Sequence, residues 1–340
     1  MISASSAVHE ARALVVAPPV RDSNARYWHG DERNLLLRFD NAMRSPQVRS
    51  NRHLAGADSL GMSTTSLPKF ADHDGRTKND RLSGPDTGEP EPAVKNFLAA
   101  AVRAGGRVRV LDVGCGRGNR VAWLLEQGWD AWGCDIDAGY LDNGRPYFTE
   151  KGWGPDRVRL ITSSAELPFD PASFDVILSD QVIEHVADLD AFVAGVARVS
   201  APGAVGLHVY PASWRPVESH MFTPFAHWLP KGPARRKAIR LALQLGQAAP
   251  YFTEYDLEAG TEIFNAFSEE GTFYRSRRSV RNTFERYGMA ATFRGLAEAK
   301  VKARFPALPG LAVSAVGALY TIAHATYLHT VQRRTARVDP

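Results

Sequence analysis

Cysteine is nearly absent, with Cys115 and Cys134 the two in 340 residues. Both stand in short apolar runs where buried strand ends are expected, so a disulfide framework and a thiolate metal site are excluded and a reducing cytoplasm fits. A secretory pattern is missing too: His9, Glu10 and Arg12 interrupt the N-terminal stretch before it can form an apolar core of useful length. Long hydrophobic runs are scarce. The nearest to one, 311–329, contains Thr321, His324, Thr326 and His329, which suit a bilayer interior poorly. It reads as a buried helix followed by a strand, with interfacial lipid contact as the other reading. Neither sign of charge dominates, since 41 basic residues face 37 acidic ones for a net charge of +4. The excess gathers late: from Arg275 onward about twelve Lys/Arg stand against about three acids. A solvated basic face and a contact with an anionic partner, such as a membrane surface, both fit.

What is present is enough apolar sequence, 44% of the chain, for one large α/β core plus extensions. Residues 1–92 are polar and rich in Arg, Asp, Ser, Gly and Pro, and 72–92 has almost nothing to bury, so it reads as linker. Within it, 27–43 places Leu36, Phe39 and Met43 at helical spacing, which fits a capping helix. From 93 to 210, helical patterns alternate with short apolar runs, the mark of a parallel sheet with crossover helices. Strands are expected at 108–113, 131–134, 158–161, 174–178 and 204–209, and helices at 119–127, 138–148 and 189–199. Gly128 and Gly203 are expected to end helices. Residues 211–279, rich in Trp, His and Pro, read as an insertion lying over a ligand crevice. In 280–335 a helix at 280–287, a strand at 289–293, a helix at 311–322 and a strand at 326–332 complete the sheet. The expected fold is therefore a Rossmann-like, doubly wound, mostly parallel seven-stranded sheet.

The strongest motif is VLDVGCGRG, Val110 to Gly118, placed after a strand and before a helix. Gly114, Gly116 and Gly118 let backbone approach a ligand where a side chain would collide. A dinucleotide fingerprint spaces its third glycine differently. Asp112 precedes the loop, and a carboxylate there suits a ligand bearing an ammonium and a sulfonium better than a pyrophosphate, which it would repel. Asp135 closes the next strand, where such folds place an acid against ribose hydroxyls; a helix N-cap is its other reading.

Together with SSAELPFDPASFDVILSDQVIEHV, Ser163 to Val186, and Pro202-Gly203, these motifs resemble class I methyltransferases of the ubiquinone-biosynthesis-like type over about a third of the chain. The resemblance implies S-adenosyl-L-methionine as cofactor. Its methionine part would lie on the loop of Gly114, Cys115, Gly116 and Gly118, its ribose on Asp135 and its adenine on Ile136. In the family an acid before the Leu-Pro-Phe turn often meets the adenine amino group, and here Ser163, Ser164 and Ala165 occupy that stretch. Ser179 to Gln181, at the end of the fourth strand, would face the methionine moiety and the acceptor.

The same stretch bears on the acceptor. Amino-methylases of nucleic-acid bases usually carry Asn/Asp-Pro-Pro-aromatic there; Ser-Asp-Gln-Val stands here, which disfavours nucleic acid and leaves O-methylation or C-methylation of an activated ring. Alignment of the acceptor and exclusion of water are the main needs, and no metal is required for them. A hydroxyl acceptor gains from a base, for which His185 with Glu184 beside it is the first candidate. His220 with Glu218 is the second. They lie in or near YPASWRPVESHMFTPFAHWLPK, whose Trp214, Phe222, Phe225, His227 and Trp228 make an aromatic wall suited to sugars or ring substrates. A small-molecule or glycan-type hydroxyl is the expected acceptor. A quinone-ring or lipid methyltransferase and a non-catalytic cofactor-binding regulator are the alternatives.

Overall fold

The computed structural model describes residues 90, 92–102, 108–163, 166–247, 255–293, 298, 301–302, 305–323 and 325–332. The 27–43 helix, nearly all of the 72–92 linker, Ser164, Ala165, His324 and the basic end after 332 lie outside the described residues. Described elements run α1 (Pro92–Val102), β1 (Arg109–Val113), α2 (Asn119–Glu126), β2 (Asp130–Asp135), α3 (Ala138–Glu150), β3 (Val158–Leu160), β4 (Phe174–Asp180), α4 (Leu189–Val199) and β5 (Ser200–Pro211). They continue with α5 (Pro233–Gln244), α6 (Leu257–Ala266), α7 (Arg277–Arg286), β6 (Met289–Thr292), α8 (Gly310–Ala323) and β7 (Ala325–Gln332).

The seven strands form one sheet in the order β3-β2-β1-β4-β5-β7-β6. β1 to β5 are parallel, whereas β7 pairs antiparallel with both β5 and β6. The order reverses between β1 and β4, so their C-terminal ends open the crevice in which folds of this kind hold ligands. Both faces of the sheet are covered, and the strands are accordingly apolar on both sides. Leu111, Val113, Phe174 and Ile177 pack on one face with Phe192 of α4 and Phe284 of α7. Val110, Val176 and Leu178 pack on the other with Val121 and Leu124 of α2 and Leu141 and Phe148 of α3.

Two expectations, on Gly203 and on α8, need correction. Gly203 does not end a helix: β5 begins at Ser200, directly after α4, and Gly203 (φ 87°) lies in an irregularity where the pairing with β4 jumps from Phe174↔Ser200 to Val176↔Val205. The 211–279 stretch is substantially helical, with Met221, Ala226, Ile239, Ile263 and Phe264 forming its own apolar cluster. The helical pattern of α5 is masked in sequence because Arg235 faces inward, its guanidinium satisfied by the carbonyls of Leu229 and Ser268. Finally α8 is buried on one side only: Val313 is covered, whereas Leu311 and Leu319 are 90% and 66% exposed. Among the described residues no helix is long and apolar enough to cross a membrane.

Candidate functional site

The glycine loop leaves β1 at the switch point. Its amides are turned inward: those of Gly114 and Cys115 donate to the Cys134 carbonyl at 2.8 and 3.0 Å, and that of Gly118 to the Cys115 carbonyl at 2.9 Å. The Gly116 amide donates to Asp135 Oδ2 at 2.7 Å, while Asp135 Oδ1 accepts from the Asp137 amide at 2.9 Å. These four amides are therefore not arrayed to cradle a phosphate, which agrees with the charge argument against a pyrophosphate ligand. Two glycines are required for different reasons. A Cβ on Gly114 (φ 74°) would stand 2.3 Å from Val182 Cγ2, so packing forbids it. Gly116 (φ 56°) has nothing within 4 Å of where its Cβ would be, so the loop is bare toward open space.

Asp135 is buried, and that burial raises its pKa against the bonds from the Asp137, Gly116 and Ile136 amides that lower it. The next residue, Ile136, is 67% exposed. An apolar side chain held in water beside a bare loop is what a stacking surface for an aromatic base requires. Asp137 is the N-cap of α3, accepting from the Gly139 and Tyr140 amides, so capping belongs to that residue and not to Asp135. Ser163 is half-buried at the same end of the sheet, after β3.

The Asp112 carboxylate is tied to a guanidinium. Arg120, in the first turn of α2, donates from Nη1 to Asp112 Oδ1 at 2.9 Å and from Nη2 to Asp180 Oδ2 at 2.8 Å. Asp112 is buried, and its pKa is raised by desolvation in spite of the guanidinium. Ser179 also differs from expectation: its hydroxyl is buried and lies 2.8 Å from His208 Nδ1, so it faces the β5 side of the sheet. Burial holds His208 neutral, with its pKa lowered to about 3. Gln181 is half-buried in a left-handed conformation (φ 57°), its amide tied to the Val209 carbonyl at 2.8 Å. Strain of that kind persists only where surrounding structure imposes it.

The turn that lays Val182 over Gly114 continues into a short 3-10 helix, Ile183–His185. Arg275 pins it by donating to the Val186 and Ala187 carbonyls, both at 2.7 Å. Glu184 is buried, whereas the His185 side chain is 36% exposed. The second candidate pair reaches the same place from the insertion. Residues 216–225 form a hairpin, closed by Glu218 N to Thr223 O and Phe225 N to Pro216 O, with Phe222 and Phe225 in left-handed conformations. At its tip Glu218 accepts from His220 Nδ1 at 2.9 Å and from the Tyr274 hydroxyl. Burial would raise the Glu218 pKa, but these bonds and the His220 charge bring it down to about 2. The His185 and His220 rings meet with centroids 4.8 Å apart. Nothing in the sequence announces that meeting of two segments 35 residues apart. Trp214, Phe225 and Trp228 of the aromatic wall are exposed, with ring centroids 5.7 Å apart for Trp214 and Trp228 and 4.9 Å for Phe225 and Trp228. His227 is buried against Tyr274 and is not part of that open face.

Residues 111–207 match a family model described as a methyltransferase domain. The chain is 32% identical over 130 residues to the ubiquinone biosynthesis O-methyltransferase of Sinorhizobium fredii, covering 37% of this chain and 51% of that protein. It is 33% identical over 130 residues to the enzyme of the same name from Agrobacterium fabrum, covering 37% and 50%. The chain thus spans about half the length of the curated relatives it matches. A solved S-adenosylmethionine dependent methyltransferase from Mesorhizobium loti overlaps 73% of this chain and 100% of its own at 17% identity and a TM-score of 0.43.

Proposed function

We propose that this chain, whose residues 111–207 match a methyltransferase domain, is a class I S-adenosylmethionine-dependent methyltransferase that transfers a methyl group to a hydroxyl of a small molecule. The observation that carries the reading is the conjunction at the switch point of bare Gly116, the Asp135 carboxylate and exposed Ile136. When bound, S-adenosylmethionine supplies a methyl group on a sulfonium sulfur, a carbon already primed for attack. The protein's part is placement. Asp135 takes the ribose hydroxyls and orders the loop through the Gly116 amide; Ile136 takes one face of the adenine, and Ser163 stands near its edge. Asp112 and Asp180, sharing one guanidinium, leave the neighbourhood of the loop net negative, which favours a cationic ligand. Glu184, His185 and His220 come within 4.8 Å of one another, and they handle the acceptor hydroxyl and its proton.

The exposed Trp214, Phe225 and Trp228 beside the His220 hairpin favour a sugar or ring acceptor, including a lipid-linked glycan. A quinone-ring or lipid acceptor draws on a different observation, the exposed apolar side chains of α8. Calorimetry with S-adenosylmethionine and its demethylated product, followed by transfer of labelled methyl from the cofactor to extract fractions with and without vesicles, tests both. Tight binding and a labelled water-soluble product are expected. Asp135→Ala should weaken cofactor binding by about 1–3 kcal/mol through lost charge-assisted hydrogen bonds. Absence of heat with either nucleoside would end the proposal, and label appearing only with vesicles would move it to the lipid acceptor.

A further inference from the structure

Segment 271–275, near the end of the insertion, reaches both histidines. The Gly271 carbonyl lies 2.7 Å from His185 Nδ1, and the Phe273 amide donates to the Glu184 carbonyl at 2.6 Å. The next side chain serves the other ring: the Tyr274 hydroxyl donates to Glu218 Oε1, the oxygen that also accepts from His220 Nδ1 at 2.9 Å. Glu218 Oε2 accepts from the His220 and Met221 amides. This carboxylate is buried, and burial pushes its pKa up, but the His220 ring, the Tyr274 hydroxyl and the Met221 amide bring it down to about 2, so it is ionised. Of its donors only the imidazole can carry a positive charge. A carboxylate that only accepts fixes the hydrogen of His220 on Nδ1 and leaves the lone pair of the neutral ring on Nε2. Burial keeps the Tyr274 hydroxyl protonated by raising its pKa, and Ser219 Oγ, 3.1 Å from the phenol oxygen, is placed to donate to it in turn.

We infer that Glu218 and Tyr274 are positioning residues that make His220, and not His185, the base for the acceptor hydroxyl. The inference rests on the methyl-transfer reading above and names the group that serves it. The two rings meet with centroids 4.8 Å apart, but their surroundings differ. His185 Nε2 is turned toward Glu184 Oε1, 3.9 Å away, and Glu184 is 1% exposed, so that nitrogen faces a buried side chain. The partner of its Nδ1 is a neutral carbonyl. His220 has an ionised carboxylate in that place, and the imidazolium made when Nε2 takes a proton is compensated across one hydrogen bond. A buried carboxylate on the far nitrogen orients a catalytic imidazole and stabilises its charged form; here a phenol fixes the carboxylate in turn. As the acceptor oxygen bonds the methyl carbon and the carbon–sulfur electron pair stays on sulfur, the hydroxyl proton passes to His220 Nε2. It then leaves to water, which the 18% exposure of that side chain admits. Tyr274 stands 56 residues from Glu218, and no local pattern in the sequence marks it.

The test uses the full chain, isotopically labelled at the histidine ring nitrogens. Magnetic resonance of the parent should find the His220 hydrogen on Nδ1. Tyr274→Phe removes a single oxygen and is expected to fold like the parent by circular dichroism; it should shift the His220 Nδ1–H resonance, and Glu218→Gln should shift it further and populate the other tautomer. Transfer is then followed from labelled S-adenosylmethionine to a cell-extract fraction that takes label with the parent. His220→Ala should slow transfer by about 100-fold or more with calorimetric cofactor affinity unchanged, and added imidazole should restore part of the loss. Transfer by His185→Ala should gain nothing from imidazole. A His220 ring with its hydrogen on Nε2, a resonance indifferent to Tyr274→Phe, or a His220→Ala loss that imidazole leaves unchanged overturns the assignment. The two failures read differently: a folded parent with neither cofactor heat nor label transfer ends the methyl-transfer reading and the base role with it, whereas cofactor heat with transfer indifferent to His220→Ala ends this assignment alone.

Discussion

Replacing Arg120 with Met keeps the stem of the side chain and removes the charge that holds two carboxylates together. The two arms it breaks differ in environment. Toward Asp112 the contact is 2.9 Å, with side-chain exposures of 21% for Arg120 and 3% for Asp112, so the change strands an almost fully buried carboxylate. Removing one partner of such a pair costs about 3–5 kcal/mol. Toward Asp180 the contact is 2.8 Å but that side chain is 36% exposed, and an arm so open to water contributes only about 0–1 kcal/mol. Asp112 can also relieve its isolation by taking a proton, because burial already raises its pKa. The net expectation near neutral pH is a loss of about 2–4 kcal/mol, read by urea unfolding followed through tryptophan fluorescence. The sign of the pH dependence follows. With its folded pKa raised above the unfolded value, Asp112 in the variant binds protons more readily when native, so the deficit is largest above the raised value and shrinks as pH falls toward the ordinary carboxylate range. Removing both charges with Arg120→Met and Asp112→Asn together should recover at least half of the loss. A single-variant cost below about 1 kcal/mol, or a double variant no more stable than the single one, would refute the assignment of Arg120 as the partner of a buried charge.

The two glycines of the loop should separate stability from binding. Gly114→Ala meets Val182 and is expected to destabilise the chain visibly in a thermal melt, whereas Gly116→Ala should cost only about 1–2 kcal/mol for its left-handed backbone yet lower cofactor affinity at least tenfold in calorimetry. Equal effects of the two on stability would contradict the packing difference. His208 predicts an acid-side loss of stability. Its folded pKa of about 3 lies below the unfolded value, so the unfolded chain gains the proton first, and stability should fall as pH drops from about 6.5 toward 3, at up to about 1.4 kcal/mol per pH unit. His208→Gln should flatten that slope in unfolding measurements at several pH values, and an unchanged slope would mean that other groups set it.

Properties that the chain settles over a few neighbouring residues were legible without coordinates. The alternation of apolar strands with helices reflects side-chain periods of about 2 and 3.6, and it located all five parallel strands and the antiparallel pair β6 and β7 to within a few residues. Gly114, Gly116 and Gly118 were legible as a loop after a strand, and all three adopt left-handed backbone; Asp135 was legible as the residue that closes the next strand, where β2 ends. Features made by distant partners were hidden. Asp112 was legible before the loop but its partner was not, since Arg120 bridges it to Asp180 only once α2 and β4 flank β1. Ser179 looked available to ligand because strand position gives depth in a sheet but not which neighbour, here His208 of β5, claims the hydroxyl. The inward turn of Arg235 depends on the carbonyls of Leu229, just before α5, and Ser268, just after α6. The meeting of His185 with His220 is the extreme case, since a hairpin and a single helical turn from two segments must fold against each other before either ring has its neighbour. Backbone preference and periodicity act within a turn or a strand and are written residue by residue. Charge pairing and side-chain clustering depend on distances in space, which only the packed structure assigns.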